Sequence, residues 1–220
     1  MNILIIAPHA DDEIIGVGGT IIKKIKNGDD VFVCIVTKGV EPLFSKSYMA
    51  TLRKETIECH NFIGIKKTIF LDFPSVLLEE QHRYEINNRI LETIKEIKPD
   101  EIYIPHIGDM QKDHQIVAEA CMVASRPKYS FSPKRIFVYE TMSETGWNIP
   151  NVQNEFMPNY FVDISDELSF KLKAMSYYKS QLSPFPSARS LVAIESLAKY
   201  RGALMQLNAA EAFVLIRGIE

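Results

Sequence analysis

The chain has 220 residues, 46% of them hydrophobic and 24% charged, enough for one sizeable α/β domain with a full core. Its 25 basic and 28 acidic residues leave a net charge of -3 without any long run of Lys and Arg, which excludes the basic footprint of a nucleic-acid-binding protein. Cys34, Cys59 and Cys121 are odd in number and lie in apolar segments, so they read as buried thiols of a reducing, cytoplasmic compartment rather than as a disulfide framework.

The N-terminus reaches His, Asp and Glu after a very short apolar run, so it is expected to be a buried strand and neither a signal peptide nor a membrane span. Short apolar runs then alternate with stretches of helical spacing, the pattern of βαβ units. Strands are expected at Asn2 to Ala7, Val31 to Thr37, Thr68 to Phe73, Glu101 to Pro105, Arg135 to Glu140 and Tyr160 to Ile164, with a last one near Ala212 to Arg217. Arg53 falls at the expected start of a helix after the second strand. Ile86, Ile90, Leu91, Ile94 and Ile97 form one helical stripe that Pro99 ends. A further helix follows His114, and the tail is expected to hold two more, from about Glu167 to Leu182 and from Ser187 to Leu207. The expected fold class is α/β, a Rossmann-like three-layer sandwich with a mostly parallel sheet, in a single domain spanning residues 1–220.

In such a sheet ligands bind beyond the carboxyl ends of the strands. Two polar segments stand there: Pro8 to Glu13 after the first strand, and His106 to His114 after the fourth. The first crowds His9, Asp11, Asp12 and Glu13 on one turn, where like charges repel unless a cation or hydrogen-bond donors offset them. Catalytic zinc takes three ligands from His and carboxylate, and His9, Asp12 and His114 make such a set. Asp11 is then free to act as general base and acid. Gly16, Gly18 and Gly19 lack the GxGxxG spacing and follow acids that would repel a pyrophosphate, so they read as close helix–sheet packing rather than a nucleotide site.

Pro8 to Glu13, followed by Gly16, Gly18, Gly19 and Thr20, resembles the opening motif of the PIG-L/LmbE-like zinc N-deacetylase family, and Lys112-Asp113-His114 resembles its second motif. Further segments, among them Lys98-Pro99-Asp100, Tyr139-Glu140-Thr141, Arg189-Ser190 and Ala210 to Phe213, are similar to a bacterial branch of it. The resemblance implies zinc held by His9, Asp12 and His114, Asp11 as general base, and hydrolysis of an N-acetyl amide on an amino sugar or sugar conjugate. Fe2+, Mn2+ or Co2+ would also suit oxygen and nitrogen ligands.

Two positions depart from the family pattern. Ala10 stands where Pro is usual, which removes a fixed φ and no chemical group. Gln111 stands where a His is common; it can hydrogen-bond a developing oxyanion but cannot transfer a proton. Asp113, which would orient that His, is left for another partner. Gln111 and Asp113 are therefore expected beside Asp11 in the catalytic group, with Arg53, His106 and Arg189 as substrate contacts. His60 and His82 read as groups without chemistry. Two alternatives stay open, an amidase acting on a larger sugar conjugate and a sugar-binding protein that kept the metal with lost or reduced catalysis. The sugar and the oligomeric state, a homo-oligomer included, are not fixed by the sequence.

Overall fold

A computed structural model describes residues 1–219. Its first strand, β1 (Asn2–Ala7), sends Ile3, Ile5 and Ala7 to one face and Leu4 and Ile6 to the other, all buried. The neighbouring β2 (Asp30–Lys38) does the same with Val31, Val33 and Ile35 against Phe32, Cys34 and Val36. Strands apolar on both faces need helices on both sides. The first face is covered by α1 (Asp12–Lys26), α2 (Lys46–Ile63), α5 (Leu168–Met175) and α6 (Leu191–Ala203). The second is covered by α3 (Arg83–Ile97) and α4 (Lys112–Ala124). The three-layer expectation is met.

The remaining strands are β3 (Lys67–Pro74), β4 (Glu101–Pro105), β5 (Arg135–Tyr139), β6 (Tyr160–Asp163) and β7 (Ala210–Gly218), in the order β3-β2-β1-β4-β5-β7-β6. Pairings are parallel from β3 to β5, and β7 runs antiparallel between β5 and β6. The order reverses between β1 and β4, both of which pair along Ile3 to Ile5. A crevice opens at the carboxyl ends of strands flanking such a switch point. The segments Pro8 to Glu13 and His106 to His114 leave the sheet at this place.

The glycines of α1 are packing positions. A Cβ on Gly16 would lie 2.3 Å from Tyr139 Cδ2, and one on Gly19 would lie 2.7 Å from Ile164 Cδ1. Glu211 of β7 is buried against the same helix, where it accepts the N–H groups of Gly19 and Thr20 at 2.8 and 2.7 Å and the Lys171 ammonium at 2.6 Å.

Three helix boundaries differ from expectation. α2 begins seven residues before Arg53 because Ser45 caps it, accepting the Tyr48 N–H. In the tail, α5 gives way to turns after Met175, and α6 starts only at Leu191, where the Ser190 hydroxyl accepts the Ala193 N–H. No helix among the described residues is long and apolar enough to cross a membrane.

Candidate metal centre

His9 and Asp11 leave β1 on a turn, and Asp12 begins α1. His114 enters from the first turn of α4. One ligand atom from each of His9, Asp12 and His114 can be chosen so that all lie within 4.8 Å of one another. His9 Nδ1 is 3.3 Å, and His114 Nε2 3.2 Å, from the same oxygen, Asp12 Oδ2. Asp12 also accepts the backbone N–H of His9 at 2.9 Å, which ties the turn to the helix start.

Each imidazole is held from behind by a carboxylate. His9 Nε2 donates to Asp113 Oδ2 at 3.0 Å, and His114 Nδ1 donates to Asp109 Oδ2 at 2.8 Å. Asp113 accepts further from the Val76 and Leu78 N–H groups, and Asp109 from the Thr145 hydroxyl at 2.5 Å. Carboxylates that fix the ring orientation of a histidine in this way are the usual support of histidine metal ligands.

The electrostatics favour positive charge among these groups. Burial opposes charge on His114, yet Asp12 and Asp109 outweigh it and hold its pKa up at about 10. His9 is raised for the same reason, burial being outweighed by Asp113 and Asp12. Burial disfavours the ionised form of Asp12, but the two imidazoles drive its pKa far below the ordinary carboxylate range. Asp12 Oδ1 and His114 Nε2 are buried without a hydrogen-bond partner, and no thiol is at hand. Two imidazoles and a carboxylate converging with unsatisfied atoms fit a divalent metal with nitrogen and oxygen preference.

Asp11 stands apart from the ligand set. It sits at φ 108 and ψ -28, outside the ordinary range for a non-glycine residue, and its carbonyl accepts the Ile14 and Ile15 N–H groups at 3.0 and 2.9 Å. Both of its carboxylate oxygens are buried without a hydrogen-bond partner. Burial pushes its pKa up to about 8, with Asp12 and Glu13 adding to the effect and the Arg189 guanidinium pulling against it from 3.7 Å. A buried carboxylate poised near neutrality is suited to proton transfer.

Over this group lies a cavity of about 140 Å³ lined by His9, Asp11, Tyr48, Gln111, Gln181 and Arg189 among others. A larger, mostly apolar cavity of about 400 Å³ adjoins it, and the two share Ala10, Thr37 and Tyr48. The nine residues expected from sequence separate here. His9, Asp12 and His114 converge, and Asp11, Gln111 and Arg189 face the cavity beside them. Asp113 reaches the centre only through His9, which is the other partner left open above. Arg53 lines the larger cavity, stacked on Phe70 at 3.8 Å and hydrogen-bonded to Asp72 at 2.8 Å. His106 turns elsewhere, with Nε2 against the Asn154 carbonyl at 3.2 Å and its ring edge-on to Phe156. Sequence reasoning assigned no role to Asp109, although a carboxylate five positions before a ligand histidine is within reach of its free ring nitrogen.

A family model described as GlcNAc-PI de-N-acetylase, PIG-L, matches residues 4–125. The chain is 27% identical over 230 residues to diacetylchitobiose deacetylase of Thermococcus kodakarensis, covering 99% of this chain and 84% of the relative. Among solved structures it resembles N,N'-diacetylchitobiose deacetylase from Pyrococcus horikoshii, with a TM-score of 0.79 and 24% identity over 99% of this chain and 84% of that one. It also resembles GalB, the 4-carboxy-2-hydroxymuconate hydratase of Pseudomonas putida, with a TM-score of 0.78 at 14% identity over 100% and 97% of the two chains. One fold thus hosts two reactions, and the chemistry must be argued from the centre's residues.

Proposed function

The chain belongs to the PIG-L family, and we propose that it is a zinc-dependent hydrolase that removes the acetyl group from the nitrogen of an amino sugar conjugate. The observation that carries the reading is the pairing of the His9, Asp12 and His114 cluster with a second buried carboxylate, on Asp11, that has no hydrogen-bond partner. The relative's name supports the substrate class, since diacetylchitobiose is an N-acetylated sugar.

His9, Asp12 and His114 would hold the zinc. A zinc bound there supplies polarisation of the amide carbonyl and a lowered pKa for bound water. Asp11 takes the proton of the attacking water and delivers it to the sugar nitrogen as the C–N bond breaks, so that acetate and a free amine leave. Arg189, 3.7 Å away, favours the ionised form that Asp11 needs as a base. Gln111 faces the same cavity and donates an amide N–H to the charge developing on the carbonyl oxygen. Because glutamine carries no transferable proton, both transfers fall to Asp11. Asp113 and Asp109 keep His9 and His114 aimed. Arg53 and Asp72 present a charged pair beside the larger cavity, suited to sugar hydroxyls. The three buried thiols suit a cytoplasmic setting.

The test replaces Asp11 with Asn. The variant should keep one zinc per chain and lose nearly all acetate release from N-acetylated chito-oligosaccharides. Wild-type turnover in that variant would remove Asp11 from the mechanism.

A further inference from the structure

Asp11 has no hydrogen bond on its carboxylate, only the Arg189 guanidinium 3.7 Å away, so its aim is set largely by its backbone, and that backbone is in the left-handed region. Such a conformation is strained and persists only where the surroundings hold it. Its carbonyl is held by the first turn of α1, and its N–H by Glu13, whose Oε2 accepts it at 3.1 Å.

Glu13 is itself fixed by side chains from two other parts of the fold, one of them braced in turn by β3. Its Oε1 accepts the Tyr178 hydroxyl at 2.6 Å, from the turn after α5, and His60 Nε2 at 3.2 Å, from α2. His60 Nδ1 shares a hydrogen bond of 2.7 Å with Thr68 Oγ1, on β3. Glu13, His60 and Tyr178 are essentially without solvent exposure. A carboxylate placed so deep must be satisfied by donors, and these three donors leave it one orientation.

We propose that Glu13 is a positioning residue for Asp11, and that His60 and Tyr178 act through it to keep the carboxylate aimed at the reacting amide. The chain Thr68–His60–Glu13–Tyr178 therefore serves turnover, although none of the four reaches the cavity over the metal centre. His60, which from sequence reads as a group without chemistry, gains a role here. The inference rests on Asp11 being the general base.

A misplacement of about 1 Å in a reacting group can cost up to ~100-fold in rate. Glu13→Ala should lower kcat by ~30-fold or more with KM nearly unchanged and one zinc still bound per chain, and Glu13→Gln, which keeps an acceptor for the Asp11 N–H, should recover most of it. The decisive arm is a double-mutant cycle with Asp11→Asn. If Glu13 works through Asp11, adding Glu13→Ala to Asp11→Asn costs nothing further in the residual rate. Losses that multiply in the double variant, or wild-type kcat in Glu13→Ala, overturn the proposal. Should Glu13→Ala fail to fold, Tyr178→Phe, which removes one hydroxyl and keeps the ring, takes its place. Its kcat should fall by ~3–10-fold in the wild-type background and not at all in the Asp11→Asn background. Full activity of Asp11→Asn by itself is a separate outcome; it refutes the base assignment and the positioning role together.

Discussion

His9 Nε2 donates to Asp113 Oδ2 at 3.0 Å, so a residue adjacent in sequence to one candidate ligand, His114, orients the other candidate histidine on the far side of the crevice. This single contact joins the β1 segment to the start of α4, and it gives Asp113 the partner that Gln111 cannot be.

Asp113→Asn should therefore act on the metal before it acts on the chemistry. Loss of such a supporting carboxylate typically weakens metal binding by ~10–100-fold. Zinc competition against a fluorescent chelator should show that decrease, and kcat at saturating zinc should fall far less than zinc affinity does.

In the proposed mechanism Arg189 sets the acidic limit of activity. Burial raises the Asp11 pKa and the guanidinium opposes that rise, so removing the guanidinium lets the pKa climb. Asp11 works as a base only when ionised; a higher pKa thus moves the acid limb of kcat/KM to higher pH. For Arg189→Ala the shift should be about one pH unit, a usual size for loss of a neighbouring opposite charge. A bound cation lowers the pKa in both forms and leaves the difference. The pH profile of kcat/KM is the measurement, and an unmoved or downward-shifted limb contradicts the role.

The proposed mechanism leaves Gln111 one task, donation to the developing oxyanion. Gln111→Ala should lower kcat by ~100-fold, the lower end of what loss of such a donor costs, with zinc content unchanged. Steady-state kinetics on metal-loaded protein decide this.

Much of the centre was legible because the ends of β1 and β4 could be located from their apolar runs: His9 and Asp12 stand just beyond the first, and His114 opens the helix that follows the second. The supports were less legible. Tyr178 meets Glu13 across 165 positions, and no periodicity links two residues so far apart. His106 has the same placement by sequence as a ligand would, and only the path of the 148–156 loop takes it to Asn154 instead. In the tail the apolar spacing outruns the helices, since Tyr178 is buried from a turn and not from a continued α5.

The buried cluster around Glu211 predicts a stability effect separate from catalysis. Glu211→Ala leaves the Lys171 ammonium and the Gly19 and Thr20 N–H groups without their acceptor. Breaking a buried pair on one side costs ~3–5 kcal/mol, equivalent to a fall in Tm of roughly 6–20 °C for a chain of this size. Calorimetry should show it, and a Tm within a degree or two of wild type would contradict the packing described.

The most direct test of the account is metal-dependent acetate release. The purified protein should be stripped with a chelator, then assayed on N-acetylated chito-oligosaccharides before and after adding one equivalent of zinc. We predict no acetate and no new amine from the stripped protein, and equal amounts of both once zinc is restored. Acetate release that persists at full rate in the stripped protein would contradict the metal centre, and its absence at every zinc level would contradict the deacetylase reading.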